Sequence, residues 1–119
     1  MKKSLYKSSY NKETKYFYRG FAPFIPNDPS HKELYEIGLD MDKVSEGEKI
    51  FTLHEESPFP EYGEEGKEFK AFMTKQYDLM HQLGIKIMSH IAEGLGKPLS
   101  FFDKWFVNDT CSTFRVIHY

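Results

Sequence analysis

Cys111-Ser112-Thr113-Phe114-Arg115-Val116-Ile117-His118-Tyr119 is the stretch on which the fold turns. Val116, Ile117 and Tyr119 are strand formers. Phe114 and Val116 alternate with Thr113 and Arg115, as on a half-buried strand. A strand needs a neighbour to take up its backbone N–H and C=O groups. No hairpin partner follows this one, and little before it reads as sheet. The expectation is therefore a part of a larger protein, whose polypeptide ends just as a sheet begins.

Upstream, Asn108-Asp109 turns the chain, and Ser100 reads as the cap of a short helix over Phe101–Val107. That helix carries Phe101, Phe102, Trp105 and Phe106, aromatics whose spacing predicts core packing rather than an exposed patch. Before it runs the long periodic segment Glu64–Leu95. Phe69, Phe72, Met73, Tyr77, Met80, Leu83, Ile87, Met88, Ile91 and Leu95 recur at three and four, the signature of one apolar helix face. Glu64 and Glu65 favour the N-terminal end, and Gly94, Gly96 and Pro98 supply the stop. Thirty residues at about 1.5 Å each make a helix about 45 Å long. A chain of 119 residues cannot cover so long an apolar face with its own side chains, so the helix expects more protein.

Further back the pattern weakens. Residues 50–63 hold Pro58, Pro60 and Gly63 and read as an irregular connection. A short helical piece is expected at Met41–Glu48, and another at His31–Ile37, with Ser30 and Glu33 as a capping box and Gly38 as a left-handed terminator. Arg19–Pro29 is dense in breakers and reads as extended and turn-rich. Residues 1–18 are polar but carry Leu5, Tyr6, Tyr10, Tyr16, Phe17 and Tyr18, which predicts packing on a neighbour.

Composition narrows the function classes. A net charge of −2 supplies no basic field for nucleic acid or an anionic membrane. With 39% hydrophobic and 17% aromatic residues, the chain is too apolar for a disordered tail. A single Cys111 excludes an internal disulfide and suits a reducing compartment. No apolar run reaches the roughly 20 residues of a membrane span, and Met1-Lys2-Lys3-Ser4 lacks the apolar core of a signal peptide. The expectation is a cytoplasmic α+β protein with no nucleic-acid or membrane partner.

The order of long helix, Gly94-Leu95-Gly96-Lys97-Pro98, Phe101-Phe102 and a strand closing in Ile117-His118-Tyr119 resembles the non-haem Fe(II), 2-oxoglutarate-dependent oxygenases, in their isopenicillin N synthase-like branch. Tyr18-Arg19-Gly20-Phe21 resembles that family's RGY segment, and Pro58-Phe59-Pro60 its approach to the long helix. The resemblance runs from about Tyr6 to Tyr119. It implies a mainly helical N-terminal region over 1–111 and, over 112–119, the first strand of a truncated double-stranded β-helix, or jelly roll.

The resemblance also implies an oxidoreductase, a dioxygenase that couples decarboxylation of 2-oxoglutarate to oxidation of a small organic substrate. Some members instead draw all four electrons from the substrate. Such enzymes hold Fe(II) on a His-x-Asp/Glu pair and a distant His, with an Arg-x-Ser pair gripping 2-oxoglutarate. That set is expected downstream of Tyr119, in a C-terminal catalytic domain that is this chain's expected partner. The chain alone is expected to bind neither Fe(II) nor 2-oxoglutarate and to be inactive. Tyr119 is implied as a contact to the keto-acid carboxylate or the substrate, with simple interior packing as the alternative. Arg115 shares its face by strand alternation and faces either the substrate or an ion-pair partner. Arg19 matches a position that in some members meets an anionic substrate group. Ile117 stands where plant members often carry Asn, which leaves the substrate open.

Two His-x-Glu pairs, His31-Lys32-Glu33 and His54-Glu55-Glu56, mimic half of an iron site. The first sits on the expected helix start and the second in a Pro-flanked connection, so both read as solvated surface. His81 and His90 are nine apart on the long helix and do not converge on one metal; His90 reads as a partly buried, hydrogen-bonded imidazole. Cys111 has no basic partner nearby in sequence and reads as a small packing residue. The other functional readings are a non-catalytic helical interaction module and the N-terminal half of a split enzyme.

Overall fold

The computed structural model describes residues 18–41, 54–60, 63–106 and 111–119. Its elements run β1 (Gly20–Ala22), β2 (Glu33–Ile37), α1 (Gly63–Gly94), α2 (Asp103–Phe106) and β3 (Phe114–His118). The fold is α+β: a three-stranded antiparallel sheet in the order β1-β2-β3, with one long helix. The expected packing of residues 1–17 and the expected helix over Met41–Glu48, apart from Met41 itself, lie outside the described residues.

The expected helix at His31–Ile37 is the strand β2, and its capping box is a different device. The Ser30 hydroxyl and its N–H both bond the Asp28 carboxylate, the N–H at 2.7 Å, and hold that carboxyl below its usual range. This Asx-type turn is the local alternative that Asp and Ser offer to a helix cap. His31 then takes a left-handed φ of 42°, its ring stacked on Phe24, and the chain leaves it extended. Alternation decides the rest. Tyr35 and Ile37 are buried on one face of Glu33-Leu34-Tyr35-Glu36-Ile37, a period of two that a seven-residue helix could not satisfy.

β3 accordingly has a neighbour within the chain, contrary to the expectation that little upstream reads as sheet. Phe114 pairs with Ile37, Val116 with Tyr35 and His118 with Glu33, while Gly20 and Phe21 of β1 pair with Glu36 and Tyr35 across the other edge of β2. Residues far apart in sequence thus satisfy the ladder.

α1 runs from Gly63 to Gly94, within a residue of its expected limits, and Gly96 closes it at φ 67°. Its apolar residues split into two stripes. Met73 and Tyr77 pack on Tyr35 and Ile37 to form the core, with Phe21, Leu39, Phe59 and Phe114 around it. At about 1.5–3 kcal/mol for each fully buried apolar side chain, this cluster is the main hydrophobic tie between helix and sheet. Phe72, Leu79, Met80, Leu83, Ile87 and Ile91 form the second stripe and are exposed. Phe101 and Trp105, expected in the core, are 40% and 52% exposed; Phe101 packs edge-on with Phe102 and Trp105, and Lys97 and Lys104 lie over Phe101 and Trp105.

The irregular segment 54–60 straps the sheet to the helix. Glu55 accepts the N–H groups of Tyr18 and Arg19, Ser57 accepts the Gly38 N–H at 3.0 Å, and the Pro58 carbonyl accepts the Tyr35 hydroxyl. The Pro60 carbonyl lies against Gly66 in the first turn of α1. Pro58 and Pro60 have no N–H to lose, so they suit a path whose hydrogen bonds run through side chains and carbonyls. No helix among the described residues is long and apolar enough to cross a membrane.

Candidate functional site

The strand register separates two polar sites on opposite faces of the sheet. Tyr35 and Ile37 face α1, so Leu34 and Glu36 face away, together with their partners Ile117 and Arg115. There Arg115 places Nε and Nη2 on Oε1 of Glu36. The Glu36 side chain is only 3% exposed and that of Arg115 49%, so the guanidinium supplies charge compensation to a buried carboxylate. Tyr119 continues the Arg115–Ile117 row just past β3 and is 80% exposed. Arg115 has the ion-pair partner that was one of its two readings.

Arg19 lies on the α1 side instead. It is 4% exposed, donates from Nη1 to Oγ1 of Thr113, and stacks its guanidinium against the backbone of Gly38. Burial pulls its pKa below the ordinary arginine value, while the charge of Glu55 works against that pull. Beside it Tyr77 is 4% exposed, its hydroxyl has no hydrogen-bond partner among the described residues, and burial pushes its pKa up to about 12. Arg19, bonded to Thr113 and set beside Tyr77, therefore stands apart from the Arg115–Glu36 pair.

Tyr77 also opens onto a cleft of about 360 Å³ between α1, α2 and residues 112–114, bounded by Met80, Gly84, Met88, Phe106 and Phe114. His81 stacks on Tyr77 at 8° and anchors α2 through the Phe106 carbonyl at 2.7 Å from Nε2. The imidazole is thus a strut between two helices. His90, expected partly buried, is exposed and lies 3.4 Å from Glu93.

Neither His-x-Glu pair builds a metal centre. Glu33 turns to Nδ1 of His118 at 3.3 Å while His31 stacks on Phe24. His54 meets Cys111, with Nε2 3.3 Å from Sγ. Among the described residues no three His, Cys, Asp or Glu side chains converge on one point, and these residues do not fit an iron centre. The Cys111–His54 contact joins residues 57 apart in sequence, so no local signal could have revealed it.

No protein-family description matches the chain, and no curated protein matches it. The solved structures are more informative. The C-terminally truncated thymine-7-hydroxylase of Neurospora crassa, crystallised in apo form, matches 85% of this chain at 29% identity with a TM-score of 0.60. That protein is a Fe/2-oxoglutarate oxygenase, and the likeness supports the same general fold over the matched part of this chain. The chain spans about a third of the length of that structure.

Proposed function

We propose that this chain is the N-terminal portion of a non-haem Fe(II)/2-oxoglutarate-dependent oxygenase of the isopenicillin N synthase-like branch. The observation that carries the reading is the match of 85% of the chain to a Fe/2-oxoglutarate oxygenase at 29% identity. In this reading residues 1–111 form the supporting N-terminal region and residues 112–119 enter the first strand of a jelly roll. The sheet face bearing Arg115 and Tyr119 becomes part of the wall of the active-site cavity. α1 lies behind the sheet and stiffens it through Met73 and Tyr77.

Fe(II) and 2-oxoglutarate would be held by a catalytic domain outside this chain, where iron supplies the oxidising chemistry. This chain's own residues would bind and orient. The Tyr119 hydroxyl would reach the keto-acid carboxylate or the substrate. Arg115, already fixed by Glu36, would present its remaining N–H groups to a small-molecule substrate. Arg19, buried and bonded to Thr113, contributes mainly by tying the residue before β1 to the residue before β3 across the Gly38 end of β2.

The test is the intact mass of the native gene product, captured from its source with an antibody to this segment, followed by 2-oxoglutarate turnover of that product. A product about three times the 14.1 kDa of this chain, releasing CO2 from 2-oxoglutarate with added Fe(II), supports the proposal. A 14.1 kDa product with no associated chain overturns it.

A further inference from the structure

We propose that Cys111 and His54 form a thiol–imidazole dyad that makes Cys111 a peroxide-reactive modification site. Cys111 is exposed, and its Sγ lies 3.3 Å from Nε2 of His54. A nucleophile with a base in hydrogen-bond reach is the minimal arrangement for an activated thiol. The base is held in place. Its neighbour Glu55 is tied to the Tyr18 and Arg19 N–H groups, which fixes the segment that carries His54.

Two buried groups stand behind the thiol. Arg19 and Tyr77, each 4% exposed, both lie within electrostatic reach of Cys111. None of these residues belongs to the Arg115–Tyr119 face, so the proposal is independent of the oxygenase reading.

The step balances with a hydroperoxide as the oxidant. Nε2 of His54 takes the Sγ proton, and Sγ attacks one peroxide oxygen. The S–O bond forms as the O–O bond breaks. The departing hydroxide, or alkoxide from an organic peroxide, recovers the proton from His54 and leaves as water or alcohol. Sulfur loses two electrons to become a sulfenic acid, and the peroxide gains them.

The experiment treats the full-length gene product with hydrogen peroxide and a 1,3-diketone trap, and reads the adduct on the tryptic peptide 105–115, in which Cys111 is the only cysteine. The native protein is expected to be trapped at Cys111 about tenfold faster than the same protein in denaturant, where the dyad is dissolved. His54→Gln is expected to bring the native rate down to the denatured one, and Cys111→Ser to abolish the adduct. Equal native and denatured rates for the unaltered protein, or no adduct in the native state, overturn the dyad. The native-to-denatured ratio of the unaltered protein decides the matter even where His54→Gln fails to fold.

Discussion

The guanidinium of Arg19 occupies the space that a side chain at Gly38 would need: a β-carbon there would lie 2.7 Å from Cζ. Gly38 takes no left-handed φ, so its role is close approach and not backbone freedom. Arg19 cannot swing aside cheaply, because it is 4% exposed and bonded to Thr113. Gly38→Ala is therefore expected to cost about 1–3 kcal/mol in a urea titration. Adding Arg19→Ala should recover part of the loss, a coupling that a double-mutant cycle reads directly.

Two glycines of α1 should respond to alanine with opposite signs. A β-carbon on Gly66 would lie 2.6 Å from the Pro60 carbonyl oxygen, a backbone atom that cannot step aside without moving the strap. One on Gly84 would meet nothing within 4 Å. Alanine gains up to about 1 kcal/mol over glycine inside a helix. Gly84→Ala is expected to raise the midpoint of thermal unfolding, and Gly66→Ala to lower it despite the same gain in propensity.

Tyr77 makes stability depend on alkaline pH. Burial raises its pKa from 10.0 to about 12, so between those values the folded protein holds a proton that the unfolded chain has lost. Stability contributed this way is complete below pH 10 and falls as pH rises toward about 12, by roughly 2–3 kcal/mol. Tyr77→Phe should flatten that part of the curve. At neutral pH it should be neutral or stabilising by up to about 1 kcal/mol, since it removes a hydroxyl without a partner among the described residues. The comparison is denaturant unfolding of the two proteins from pH 8 to 12.

The Arg115–Glu36 pair should cost more to halve than to remove. Arg115→Met removes this cation from a carboxylate only 3% exposed, a loss of about 1–3 kcal/mol once the half-exposed guanidinium is discounted for solvent screening. The double variant Arg115→Met/Glu36→Met replaces both charges with apolar groups and is expected to lie nearer the unaltered protein. Equal losses in the single and double variants would mean that Glu36 is not compensated by Arg115.

α1 was legible in the sequence because thirty residues of three-and-four spacing between an acidic start and Gly-Pro stops outweigh any local ambiguity. β2 was not, although its alternation is present in Glu33-Leu34-Tyr35-Glu36-Ile37. Five residues cannot arbitrate between a strand and one helical turn, and Ser30 with Glu33 imitates a cap that Asp28 in fact pre-empts. At the candidate site the strand bearing Arg115 followed from period two. Glu36 as the partner of Arg115, Thr113 as that of Arg19 and His54 as that of Cys111 depend on contacts across 79, 94 and 57 residues. Only the folded topology makes them neighbours.

The position of β2 between its two partners also sets an order of events during synthesis. Its β1 edge can pair almost as soon as Ile37 leaves the ribosome. Its other edge must wait until the whole of α1 and α2 has emerged and Phe114–His118 arrives. For that interval the nascent chain carries an open hydrogen-bonding edge next to Tyr35 and Ile37, the kind of surface on which strands from other chains can add. Met73 and Tyr77 reach the same two side chains earlier, so an early docking of α1 would shield the apolar face while the edge is still vacant. A variant that weakens this contact, such as Met73→Ala, should therefore lower the soluble yield of newly made protein more than its equilibrium stability alone would suggest.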